Sequence, residues 1–251
     1  MCLILFAYKT HPKYKLIVAA NRDEFYERPT SPAHYWKDHP DILAGRDLEK
    51  MGTWMGVTTK GRFSALTNYR DPLEETVGKR SRGDLVANAL NYKGNLKDYM
   101  QALINDYDPF PGYNLLAGDM NELFYYSNKG NAPQKIKPGI HGVSNHLLNT
   151  DWPKVTKGKF GMSKIISQEK ENMMEELFNL LQHAEISPDH LLPNTGVTLE
   201  WERMLSPMFI KSTDYGTRSS TVLLMTDKDI QYVERTYLID GIKNQEYKIL
   251  L

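Results

Sequence analysis

Met1-Cys2-Leu3-Ile4-Leu5-Phe6-Ala7-Tyr8 and Lys15-Leu16-Ile17-Val18-Ala19-Ala20, the latter followed at once by Asn21-Arg22-Asp23-Glu24, are the segments on which the fold turns. Cys2–Tyr8 is a continuous apolar run of strand length, Lys15–Ala20 is a second, and the polar stretch Lys9–Tyr14 separates them. Such runs, bounded by polar residues, predict two well-buried strands joined as a hairpin. Asn21–Glu24 stands at the end of the second strand, where Asn and Asp can also close a turn through local backbone hydrogen bonds. Cys2 is the only cysteine in 251 residues. Removal of an initiator methionine before a small residue leaves Cys2 at the amino terminus, so that one residue carries both a thiol and a free α-amine. That amine titrates near ~8 and can accept the thiol proton at neutral pH. The bland alternative is a small hydrophobe buried for packing alone.

Outward from the hairpin, Tyr26–Lys50 reads as a looser segment rich in Pro, His and Asp. Trp54–Thr58 and Phe63–Leu66 form a second hairpin around Thr59-Lys60-Gly61, and an exposed loop runs from Asp71 to Gly83. Helical spacing covers Asp84–Asp106 with an interruption near Gly94, and strand character returns at Tyr113–Ala117 and Glu122–Ser127. Gly139–Asn145 is a short extended approach, Lys164–Leu181 and Thr198–Leu205 are helical, and Ser219–Thr226, Ile230–Tyr237 and Tyr247–Leu251 are strands. Clusters of strands separated by helices predict an α+β fold of two packed sheets covered by helices rather than an alternating parallel sheet. With no linker, repeat or low-complexity tract, residues 1–251 are expected to form one domain.

Lys+Arg and Asp+Glu are both 31, so the formal net charge is zero and nothing global favours a nucleic acid or an anionic membrane surface as partner. One cysteine excludes an intrachain disulfide and any multi-cysteine metal site. The first eight residues lack a basic region before them and run into Lys9, His11, Lys13 and Lys15, unlike a signal peptide. No apolar run approaches the ~18 residues of a membrane span. The expectation is a cytoplasmic protein without an integral membrane segment, acting on a small-molecule substrate or ligand; the oligomeric state is not legible.

Thiol chemistry on an amide or ester needs a cation to stabilise the thiolate, donors for the oxyanion and a group that fixes the substrate. Arg22 and Asp23 after the second strand, Asn68 after the second hairpin, Asn145 after the central strands and Arg218 before a late strand are placed where sheet ends could bring them together. Arginine suits a thiolate or carboxylate because its charge is permanent and its donors are directional. Asparagine donates to an oxyanion without titrating. Each of these residues taken alone is more often a turn former or a solvated charge.

Taken together, the Met-Cys start, Asn21-Arg22-Asp23-Glu24, Gly52-Thr53-Trp54, Thr67-Asn68-Tyr69-Arg70-Asp71, Gly142-Val143-Ser144-Asn145, Asp151-Trp152-Pro153-Lys154 and Gly216-Thr217-Arg218-Ser219-Ser220-Thr221 resemble the NRDE family of transport and Golgi organisation 2-like proteins. That family is similar in turn to N-terminal nucleophile hydrolases of the choloylglycine hydrolase and penicillin V acylase type. The resemblance implies a four-layer αββα sandwich. It matches Cys2 to the nucleophile, Arg22 and Asp23 to the Arg and Asp after strand two, Asn145 to the oxyanion asparagine and Arg218 to a late active-site arginine. Asn68 is the looser correspondence, and no segment matches the bile-salt or penicillin pocket loops.

The implied reaction is acyl transfer through a Cys2 thioester, hydrolysing a non-peptide C–N or ester bond without a cofactor. Eukaryotic members of the family are also associated with haem trafficking and lipid homeostasis, which implies the alternative of a haem or lipid-related small-molecule carrier on an inactive hydrolase fold. His34, His39, His183 and His190 sit at no haem-attachment spacing, and Met51, Met55, Met173 and Met174 read as core residues.

Overall fold

The computed structural model describes residues 2–105, 110–168 and 171–251. In chain order, strands β1 (Cys2–Tyr8), β2 (Leu16–Phe25), β3 (Thr30–Tyr35), β4 (Ile42–Asp47), β5 (Met55–Thr58) and β6 (Phe63–Asn68) precede helices α1 (Gly83–Asn91) and α2 (Leu96–Ile104). Strands β7 (Tyr113–Gly118), β8 (Leu123–Ser127), β9 (Gln134–Lys135) and β10 (Gly139–Val143) follow, then helices α3 (Pro153–Ser167), α4 (Met173–Leu181) and α5 (Leu199–Leu205). Three long strands, β11 (Tyr215–Met225), β12 (Asp229–Leu238) and β13 (Gly241–Leu250), come last. They assemble into two antiparallel sheets, ordered β10-β1-β2-β11-β12-β13 and β3-β4-β5-β6-β7-β8-β9.

The continuous apolar runs are explained by burial on both faces. Ile4, Phe6, Tyr8, Leu16 and Val18 point between the sheets and meet Leu43, Met55, Val57, Phe63 and Ala65 of the second sheet. Leu3, Leu5, Ala7, Ile17 and Ala19 point the other way, onto Val155 and Met162 of α3 and Leu177 and Leu181 of α4. Across the molecule, Ala44, Leu66, Leu115 and Ala117 take Leu85, Val86 and Ala89 of α1 and Tyr99 and Met100 of α2. The result is a four-layer αββα sandwich. Among the described residues no helix is long and apolar enough to cross a membrane.

Four local expectations are corrected. Tyr26–Lys50 is not loose: it holds β3 and β4. The edge strand β3 contains Pro32 and a register shift between Ser31 and His34, which hides its alternation. The Lys164–Leu181 segment is two helices: the first begins at Pro153, whose fixed φ suits a helix start, and the second begins at Met173. The last strand begins at Gly241, long before Tyr247, because it lies at a sheet edge where polar residues such as Lys243 and Glu246 face solvent. Asn21–Glu24 is not a turn but the second half of β2, because β11 runs long enough to pair with it, Arg22 opposite Ser219 and Asp23 opposite Thr217. The expected helix end at Asp106 and the expected removal of Met1 lie outside the described residues.

Candidate active site

Because strand side chains alternate, the four residues Asn21–Glu24 divide between two faces. Asn21 faces the helices: its amide donates to the carbonyls of Leu181 (2.9 Å) and Met208 (2.7 Å), and its oxygen accepts from Ser220 Oγ at 2.6 Å. It is a brace between sheet and helix layer. Arg22 faces the space between the sheets, on the same side as its register partner Cys2. Its guanidinium lies 4.6 Å from the Trp54 ring, and Nη1 is buried with no hydrogen-bond partner among the described residues. Asp23 turns to the other face, where Thr217 Oγ1 donates to Oδ1 at 2.7 Å and Tyr215 Oη donates to its backbone carbonyl at 3.1 Å. Glu24 stands at the rim near Arg28.

Cys2 opens β1 and borders a cleft of about 540 Å³ together with Arg22, Asp23, Trp54, Asn68 and Arg82. Ser144 Oγ donates to the Cys2 carbonyl at 3.0 Å and so ties the segment after β10 to the first strand. One wall is a close backbone approach: a Cβ on Gly52 would meet the Gly83 carbonyl carbon at 2.6 Å, so glycine is required there. Burial pushes the Cys2 thiol up, Asp23 adds to that, and the Arg22 guanidinium opposes it. Asp23 is likewise pushed up by burial, against the pull of Lys154, Thr217 and Arg22.

Asn68, at the end of β6, lines the cleft, but Asn145 does not. The fully buried Asn145 amide donates to the Asn68 carbonyl at 3.0 Å, and its oxygen accepts from Ser144 Oγ at 3.1 Å. It therefore holds the Asn68 backbone from behind. Arg218 lies elsewhere. It sits inside β11, between the paired residues Thr217 and Ser219 where the register shifts, and donates to the carbonyls of Phe25 (2.7 Å) and Arg28 (3.0 Å). It lines a separate, larger groove of about 940 Å³, with Phe209, Lys211 and Tyr237, that does not include Cys2. The structure thus groups Cys2, Arg22, Asp23 and Asn68 at one cleft, with Asn145 behind it and Arg218 outside it.

Three buried charges behind the cleft escaped the sequence reading. Lys154 donates to the Leu205 carbonyl at 2.9 Å, and burial lowers its ammonium to about 8 despite Asp23 pulling it up. Glu202 pairs with Arg70 at 2.6 Å. Glu234 accepts from the Ala33 amide at 2.7 Å, and burial raises its carboxyl from 4.5 to about 7, against the pull of that amide and of Arg22. A carboxyl raised on folding favours the native state while protonated, so its contribution is full below pH 4.5 and is lost as pH rises through 7. Glu234→Gln keeps an acceptor for Ala33 and never ionises. The stability difference between this variant and the wild type is expected to move in its favour by about 3 kcal/mol between pH 4 and pH 8, read from urea unfolding midpoints. Equal pH dependence of the two proteins would count against an ionising Glu234.

The family model described as Transport and Golgi organisation 2 matches residues 1–238. Similar relatives include the Bos taurus transport and Golgi organization protein 2 homolog, 33% identical with 95% of this chain and 94% of that protein covered. The Homo sapiens homolog is 31% identical, with 98% and 96% covered. Among solved structures, a mutant of the conjugated bile acid hydrolase from Clostridium perfringens matches with a TM-score of 0.56 and 10% identity, over 98% of this chain and 92% of that one. The Caenorhabditis elegans ortholog of N-acylethanolamine-hydrolyzing acid amidase matches at 0.52 and 11%, over 89% and 92%. At such identities the likeness shows the fold, which is that of the N-terminal nucleophile hydrolases. On the family match, which spans nearly its whole length, the chain belongs to the Transport and Golgi organisation 2 family.

Proposed function

We propose that the chain is an N-terminal cysteine hydrolase that cleaves a non-peptide C–N bond, or an ester, in a small molecule. The observation that carries this reading is the pairing at the cleft: the buried Cys2 in its lining, and beside it the buried Arg22 guanidinium with an N–H that has no hydrogen-bond partner among the described residues. Methionine removal exposes the Cys2 α-amine, which takes the thiol proton. The sulfur adds to the substrate carbonyl carbon and the C–N bond breaks. The leaving amine takes that proton, and water then cleaves the thioester to a carboxylic acid and the restored thiol. Arg22 offsets the burial that raises the thiol. Asn68, which faces the cleft, supplies the oxyanion donor, and Asn145 fixes Asn68 through its carbonyl. This chemistry uses the chain's own groups and calls on no cofactor.

Intact mass of the untagged protein, before and after a thiol-reactive acylating probe, tests the reading. Loss of the methionine and one rapid adduct mapped to Cys2 support it. A retained methionine, or a Cys2 no more reactive than a free thiol, overturns it and moves the proposal to a small-molecule carrier, with haem titration next. Arg22→Met is expected to slow the labelling of Cys2 at neutral pH by about ten-fold, since one nearby cation lowers a thiol pKa by about one unit or more. An unchanged rate would remove Arg22 from the mechanism.

A further inference from the structure

Among the described residues, the charges most withdrawn from solvent on the helix-facing side fall into pairs. Arg70 meets Glu202, and Lys154 faces Asp23. On the opposite face of the first sheet, between the layers, two more stand among the described residues: Arg22 and Glu234, at 5% and 0% exposure. They stand on β2 and β12, with β11 between them. Arg22 is opposite Ser219, and Glu234 is opposite Thr221, two residues along the same face. These are short side chains, and their hydroxyls lie beside the Glu234 carboxyl, so two long side chains can meet above them. Polar atoms there lack hydrogen-bond partners among the described residues: Arg22 Nη1, Glu234 Oε2, Thr236 Oγ1 and, opposite Glu234 on β13, Gln245 Oε1. Neither Arg22 nor Glu234 has an ion pair within 4.0 Å among the described residues, but the weakly screening interior lets the Arg22 guanidinium act on the Glu234 carboxyl as the nearest opposite charge on this face.

We infer that Glu234 is a positioning residue for Arg22, the buried counter-charge that holds the guanidinium over Trp54 beneath Cys2. The other groups facing Glu234 are Ala33 on β3, Tyr232 on its own strand and Tyr247 on β13. The carboxyl is also anchored to the second sheet through Ala33, so it fixes Arg22 relative to both layers. Its consequence for Cys2 rests on the thiol chemistry proposed above; the pairing itself does not.

The Trp54 indole N–H signal, followed by NMR against pH, reads the position of Arg22 without any need for turnover. In the wild type it is expected to titrate with a midpoint near 7, and in Glu234→Gln that transition is expected to vanish. A flat wild-type signal, or a transition that survives in Glu234→Gln, overturns the inference. Should the variant fail to fold, the ¹³C carboxyl signal of Glu234 in the wild type and in Arg22→Met decides instead. Loss of the guanidinium is expected to move the midpoint higher by about one pH unit, and an unmoved midpoint refutes the pairing. Both readouts stand even if Cys2 proves inert, so failure of the hydrolase reading and failure of this one are separable.

Discussion

Cys2→Ala is expected to reduce hydrolysis to background and to eliminate the probe adduct, while leaving the fold in place. The effect on rate is large because alanine keeps the α-amine that serves as base but removes the attacking sulfur; removing a covalent nucleophile costs about 10⁴-fold or more. The effect on stability is small. Cys2 lies at the first position of β1, its backbone pairing with Arg22 is unaffected, and Ser144 bonds its carbonyl rather than its sulfur. Loss of one buried sulfur costs about 1 kcal/mol, or about 2–4 °C in Tm for a chain of this size. A companion preparation that keeps the methionine retains the thiol but converts the α-amine to an amide. It is expected to be nearly as inactive as Cys2→Ala, because general-base assistance of about 10²–10⁴-fold is lost. Full activity in Cys2→Ala sinks the mechanism. Full activity in the methionine-bearing form sinks only the base assignment and directs attention to another proton acceptor.

The layering was legible because β1 and the first half of β2, Leu16–Ala20, are apolar at every position, which only strands buried on both faces require, and because helices fall between strand clusters. The edges were not. β3 and β13 lie at the margins of their sheets, where solvent removes the apolar signal and leaves Pro32 or Lys243 in its place. The polar half of β2 is unreadable as strand for a different reason: its stability comes from pairing with residues almost two hundred positions away. At the site, Cys2, Arg22, Asp23 and Asn68 were recoverable because they stand at strand ends or beside Cys2 in the register. The backbone contacts that hold Arg218 away from the cleft depend on a register shift that local sequence does not display. Glu234 carried a signal of its own: Ile230, Tyr232, Glu234 and Thr236 occupy one face of β12, and a carboxylate on an otherwise inward face asks for a buried partner.

Glu202→Ala is expected to be the most destabilising single change outside the hydrophobic layers. Its carboxylate accepts from Arg70 at 2.6 Å through one oxygen and from the Thr195 amide at 3.0 Å through the other, and both ionic side chains are nearly closed to solvent. Arg70 stacks 4.8 Å from the Trp152 ring, and burial already lowers its pKa. The buried Lys154 ammonium repels it. Truncating Glu202 therefore leaves the Arg70 guanidinium without its ion-pair partner and facing the Lys154 ammonium, where breaking a buried pair costs about 3–5 kcal/mol. At about 2–4 °C per kcal/mol the melting temperature should fall by roughly 6–20 °C. The site should feel it as well. The Arg70 amide donates to the Asn145 carbonyl at 2.7 Å, and Asn145 in turn holds Asn68 at the cleft, so α5 is connected to the proposed oxyanion donor through three residues. Replacing both partners, Arg70→Met with Glu202→Leu, leaves no uncompensated charge and is expected to recover most of the lost stability without restoring the orientation of Asn68. Differential scanning calorimetry of the single and double variants reads the first role, and their hydrolysis rates read the second. A single variant that melts within 2 °C of the wild type would show that Lys154 and Arg70 do not depend on this carboxylate.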